Sequence, residues 1–175
     1  SREDFDKAVK AIVNARKIYV FAVRSSSALA NFLGYYFDLI FGNVQIVSTN
    51  SKTQIYEKIF RISKEDVIIG ISFPRYSKSA VEAMKFASDR GANVIAITDS
   101  MISPLVKPAD QVLLARSDMA SVVDSLVAPM SMINAIIVAT VLAKKEDVVN
   151  TFQKLEQFWD EYDVYAKTSE DTPDE

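Results

Sequence analysis

Over the first fifteen positions apolar and polar residues alternate with helical spacing. Phe5, Ala8, Val9, Ile12 and Val13 share one face while Asp4, Asp6, Lys7 and Lys10 take the other, which predicts an amphipathic helix over residues 3–15. Beyond it the pattern alternates between two periods. Short β-branched runs at 17–22, 44–47, 67–72, 93–98 and 111–114 read as strands, and longer stretches at 26–41, 51–62, 78–90, 121–144 and 148–162 carry helical patterns. The runs VIIGIS and VIAIT are apolar on both faces, as strands covered on both sides of a parallel sheet must be. The segments between them are long enough for right-handed crossovers. The expected fold class is therefore α/β: a three-layer α/β/α sandwich around a central, doubly wound, five-stranded parallel sheet. Gly91 after Arg90 reads as a helix stop. No internal repeat or linker interrupts the pattern, so the expected organisation is a connector helix over 1–16, one domain over 17–166 and a disordered acidic tail, KTSEDTPDE, over 167–175.

Composition narrows the function classes. With 175 residues and 49% hydrophobic content, the chain can bury one continuous core. A net charge of −3 and a pI near 5.1 argue against nucleic-acid binding by this stretch, which would need a basic face; any DNA contact is expected from residues outside it. The absence of cysteine removes disulfide and thiolate chemistry and agrees with a cytoplasmic protein. The absence of histidine removes the commonest general base and transition-metal ligand together, which leaves no basis for a metal site or a serine-histidine triad. Residues 126–143 carry no charge, but they include Pro129, Ser131, Asn134 and Thr140 and barely reach spanning length, so they read as a buried or interface helix and no membrane contact is expected. The chain opens without methionine and without the apolar core of a signal peptide, and reads as part of a longer protein or a processed chain.

Candidate chemistry concentrates at two strand ends that look alike, FAVRSSSALA (21–30) and ISFPRYSKSA (71–80). Each β-rich run breaks into an arginine with serines and then opens a helix. A helix N-terminus presents unpaired amides and favours negative charge, and arginine pairs bidentately with phosphate or carboxylate. If both strands belong to one parallel sheet, their carboxyl ends share an edge, where open α/β sheets bind ligands. Arg24, Ser25, Ser26, Ser72, Arg75 and Ser77 are the candidates. Two plainer readings stand beside this one: Ser25 or Ser26 caps its helix, and the arginines are solvated or pair with structural acids such as Asp99. A third polar cluster, Ser117, Asp118, Ser121, Asp124 and Ser125, precedes the apolar stretch at 126–143, with N-capping by Asp118 or Ser121 as its plain reading.

These loops, with ANVIAITDSMISPLVKPADQVL (92–113), resemble an SIS (sugar isomerase) domain, and the wording RSS and SFPRYS resembles that domain in RpiR-type bacterial transcriptional regulators. The resemblance covers nearly the whole chain. It implies a flavodoxin-like sheet, phosphosugar binding in the two serine loops, and a preceding helix-turn-helix module to which residues 1–16 connect. It carries the first-loop serine onto Ser26 and the second-loop pair onto Ser72 and Ser77. It also places the third cluster near the pocket and subunit interface, which adds Ser121, Asp124 and Ser125. The family pattern has glycines where this chain has Ala22 and Arg24, and a small residue with glycine where it has Pro74 and Arg75. A weaker backbone cradle is expected, with guanidinium groups in its place, and a carboxylate-bearing or multiply anionic ligand stays open.

The leading expectation is an effector-sensing domain that binds an anionic, sugar-phosphate-like molecule and acts as a homodimer or higher homo-oligomer. An aldose-ketose isomerase of the same fold is the alternative. Its base would have to be Glu57, Glu82, Asp99 or Asp124, none in a recognisable motif, and Tyr76 stands where such enzymes often carry an acid, so no enzyme is expected. A nucleotide or flavin binder lacks support, since four glycines and no G-x-G-x-x-G or G-K-[ST] signature are present; no cofactor is expected.

Overall fold

The computed structural model describes residues 1–118 and 123–166. Ser1 opens the first helix, α1 (Arg2–Asn14), with a capping box: its hydroxyl accepts from Asp4 N, and the Asp4 side chain reaches back to the Ser1 backbone. The order that follows is β1 (Ile18–Phe21), α2 (Ser27–Phe41), β2 (Val44–Val47), α3 (Lys52–Ile59), β3 (Val67–Ile71), α4 (Lys78–Asp89), β4 (Asn93–Thr98), β5 (Gln111–Leu114), α5 (Val127–Ala143) and α6 (Lys145–Glu161). The strands form one sheet in the order β2-β1-β3-β4-β5, parallel throughout, with Phe21 opposite both Val47 and Gly70. The chain winds outward from β1 to β2 and then returns to β3 on the other side. β1 and β3 are thus neighbours at the point where the winding reverses.

Strand alternation divides the core. Ile18, Val20, Val67, Ile69, Ile95 and Ile97 face α1, α2 and α5, while Tyr19, Phe21, Ile68, Val94 and Ala96 face α3 and α4. Helices on both faces of a parallel sheet are the architecture expected from VIIGIS and VIAIT. On the second face α4 packs on β3 through Met84, whose thioether lies where a Cβ at Gly70 would stand, so any larger residue there would have to displace that side chain. Gly91, at φ +76°, stops α4 as expected. At the amino edge of the sheet the buried Asp66 takes hydrogen bonds from Arg16 Nη2 (2.7 Å) and Ser63 N (2.8 Å), a structural use of charge.

Residues 1–143 form one compact unit, and the segment from 144 onward, which carries α6, forms a second. Within the second unit, Phe158 and Tyr162 stack at 5.9 Å, and Trp159 meets Tyr165 edge-on. Residues 167–175, expected as a tail, lie outside the described residues. No single helix among the described residues is long and apolar enough to cross a membrane.

Three element bounds differ from expectation by three residues or more. α5 starts at Val127 instead of residue 121, because Pro129 has no N–H for the carbonyl of Ser125 and its ring clashes one turn back; proline is tolerated only in a helix's first turn. That carbonyl instead accepts from Ser117 Oγ at 3.1 Å. α3 ends at Ile59, where Ile62 N closes a tight three-residue turn onto Ile59 O. α6 begins at Lys145, three residues before its apolar pattern, with Glu146 and Asp147 in a first turn that favours negative charge.

Candidate functional site

The loop after β1 runs through Val23, extended at φ −131°, into Arg24 at φ +59° and a 3-10 turn over Arg24–Ser26. Ser27 Oγ donates to Arg24 O at 2.6 Å and fixes that turn. Neither serine caps α2. Ser26 occupies the cap position in a helical conformation with no side-chain bond to the helix, and Ser25 Oγ donates across to Asp124 Oδ2 at 3.2 Å. The first amides of α2 therefore lack a side-chain partner at the positive end of a fifteen-residue helix.

The loop after β3 is bonded within itself. Ser72 N extends the ladder to Ile97 O (3.2 Å), while Ser72 Oγ accepts from Ser77 N (3.1 Å). Ser77 Oγ caps α4 by accepting from Ala80 N at 3.4 Å. Thr98, fully buried on β4, donates to Ser72 O at 2.9 Å. Tyr76 Oη donates to Asp99 Oδ1 at 2.7 Å. Burial, and then this bond to a carboxylate, push the Tyr76 phenol above its usual pKa. Arg75 sits at φ +64°.

Arg24 and Arg75 are, besides Asp163, the non-glycine residues with positive φ among the described residues. That conformation favours glycine and costs a larger residue about 1–2 kcal/mol. Both arginines thus adopt, at that cost, the backbone region that glycine favours. Sequence reading missed this strain, and the signal was the glycine the family pattern places in each loop.

The two loops enclose a pocket of about 260 Å³. Arg24, Ser25 and Ser26 line it from the first loop, Ser72, Arg75 and Ser77 from the second, and Asp124 from a distant part of the chain. Ser121 lies outside the described residues. The arginines do not pair with Asp99; Arg75 Nη2 lies 3.7 Å from Asp124 Oδ1. Asp118 is too far before Val127 to cap α5, and Ser125 acts through its backbone, donating to Asp118 O; the capping expected of Ser121 lies outside the described residues. Of the residues weighed as bases, Glu82 pairs with Lys52 at 2.9 Å, and neither it nor Glu57 lines the pocket. Asp99 borders an adjoining hollow that shares Pro74 and Asp124 with the pocket. The described residues contain no cluster of carboxylates able to hold a metal ion.

The chemistry available is anion capture: two guanidinium groups, serine hydroxyls and a helix N-terminus without a side-chain cap converge on one sheet edge.

Comparison with known proteins agrees with this architecture. The family model of the SIS domain matches residues 11–139. An uncharacterized HTH-type transcriptional regulator of Caldanaerobacter subterraneus is 31% identical over 154 residues, which cover 84% of this chain and 53% of that protein, so the chain spans about half the length of this relative. Among solved structures, the sugar isomerase domain of an RpiR transcription factor from Sphaerobacter thermophilus superposes with a TM-score of 0.84 at 25% identity, covering 90% of this chain and 87% of that one. The Vibrio vulnificus NanR protein complexed with ManNAc-6P gives 0.80 at 17% identity over 95% of this chain and 63% of its own.

Proposed function

The chain belongs to the SIS domain family, and from that premise we propose that it is the effector-binding module of a transcriptional regulator, taking a phosphosugar or related anionic carbohydrate between the loops after β1 and β3. The observation that carries this reading is the pair of left-handed arginines facing each other across the pocket beside an uncapped helix. Two strained residues in one cleft are held where a ligand gains from them. The phosphate would meet the α2 amides and both guanidinium groups, with the sugar body over the hollow at Asp99 and Asp124.

DNA contact belongs to a helix-turn-helix module outside this chain, as the relatives' names and the acidic pI favour. Residues 1–16 then serve as connector, 17–166 as the sensing domain and 167–175 as a tail, in a cytoplasmic protein. The exposed Val127, Val138 and Leu142 of α5 favour a homodimer or higher homo-oligomer built on that face. The module is not an enzyme in this reading: the chain has no histidine, Asp99 is occupied by Tyr76, and the pocket carboxylate Asp124 is engaged by Ser25 and Arg75.

The test is a thermal-shift and calorimetric screen of sugar phosphates, sugar acids and inorganic phosphate, with Arg24→Ala and Arg75→Ala in parallel. A ligand at a hundredfold excess over its Kd stabilises by about 2.7 kcal/mol, and both variants lose that shift. A folded protein that binds nothing in the panel overturns the reading.

A further inference from the structure

The pocket already holds an anion that belongs to the chain itself. Asp124 Oδ2 accepts from Ser25 Oγ on the first loop at 3.2 Å, and Oδ1 lies 3.7 Å from Arg75 Nη2 on the second. One carboxylate thus spans both loops and engages a hydroxyl and a guanidinium that line the pocket. Its side chain is 23% exposed, against 69% for Arg75, so the acid is the inner partner. Asp124 is not locked into a helix. Pro129 keeps α5 from reaching it, and its neighbour Ser125 is held by two backbone contacts, Ser117 Oγ to Ser125 O and Ser125 N to Asp118 O.

Resting on the anion-site reading above, we propose that Asp124 is a built-in competitor that a ligand's phosphate must displace, so that the pocket selects dianions over monoanions and ligand entry frees the segment leading into α5. A tethered carboxylate acts at high effective concentration, so a free carboxylate, which offers the loops nothing that Asp124 lacks, cannot replace it. A phosphate dianion has three acceptor oxygens and greater charge; it can hold Ser25, Arg75 and the α2 amides at once. Once it is bound, an unmoved Asp124 would face it as a like charge, so the carboxylate swings away. The residue that fills the empty pocket is thereby the residue that reports its occupation.

The experiment is a calorimetric titration of inorganic phosphate and of acetate into the wild-type chain, Asp124→Asn and Arg75→Ala, at a pH where phosphate is dianionic, with hydrogen exchange followed at residues 123–126. Asp124→Asn is expected to bind phosphate about tenfold more tightly, because a like charge facing the anion is gone, and to gain measurable acetate binding. Phosphate is expected to speed exchange at 123–126 in the wild type, whereas in Asp124→Asn exchange is fast before any addition. Phosphate affinity that is unchanged or lower in Asp124→Asn, with binding still lost in Arg75→Ala, overturns the displacement while the anion site stands. Phosphate that binds none of the proteins overturns the site and the displacement together. Should the asparagine variant fail to fold, Asp124→Ala carries the same comparison.

Discussion

In the loop after β1 the serines turn away from their helix: Ser25 reaches Asp124, Ser27 reaches a carbonyl, and α2 begins uncapped. In the loop after β3 nearly the same residue types turn inward, with Ser72 and Ser77 bonded to each other, Ser77 capping α4, and Tyr76 tied to β4 through Asp99. Both loops carry an arginine in the left-handed region. The difference shows that one composition can build two devices. The first loop leaves the start of α2 without a side-chain cap, and the second is bonded within itself around Arg75. Pro74, which stiffens the second turn, and Tyr76, which anchors it, are the residues that the first loop lacks.

The strongest way to break this comparison is to give both loops what their backbones favour. Arg24→Gly with Arg75→Gly keeps the turns and removes the guanidinium groups. Ligand affinity should fall by about a hundredfold, since each charge-assisted bond is worth about 1.5–3 kcal/mol, while the melting temperature rises as about 1–2 kcal/mol of strain per site is relieved. Calorimetry and a melting curve on one sample read both; a protein that loses stability along with affinity would mean that the arginines support the fold.

Next come the serines. Ser77→Ala should destabilise the domain by about 1 kcal/mol through loss of a helix cap, read as a lower urea midpoint. Ser26→Ala should leave that midpoint in place and weaken the ligand instead. Equal effects from the two would erase the distinction between the loops.

Tyr76→Phe removes the bond to Asp99 and should cost about 1 kcal/mol. It also carries a pH signature. Because burial and Asp99 raise the folded-state pKa of the phenol, its contribution is fully present below the unfolded value of about 10 and is lost as pH rises through the higher folded value. Stability measured across that alkaline range should decline in the wild type, and this part of the decline should be absent in Tyr76→Phe. The smallest effect belongs to Ser25→Ala, whose exposed bond to Asp124 should alter stability by less than about 0.5 kcal/mol.

The centre of the sheet was legible in the sequence because β3, buried on both faces, leaves no polar position to mislead, and the bounds of β2, β4 and β5 match expectation. The pairing of the two loops was legible for a topological reason: strands that are parallel must place their carboxyl ends together. The left-handed arginines were not, because arginine gives no local signal for that conformation. Nor was the reach of Asp124 to Ser25, a contact 99 positions apart along the chain. The start of α5 could have been read from Pro129 alone, but the unbroken apolar run after it concealed the stop.

One consequence follows from Gly70. It is the residue of β3 at which α4 meets the sheet, two positions before Ser72, and the second loop hangs between that strand and that helix. Its bare Cα acts as a seat for the Met84 thioether: the two elements that flank the loop of Arg75 meet where the strand has no side chain of its own. A methyl group there would act as a shim against the Met84 thioether, and that flexible side chain would be the first part of the fit to give way.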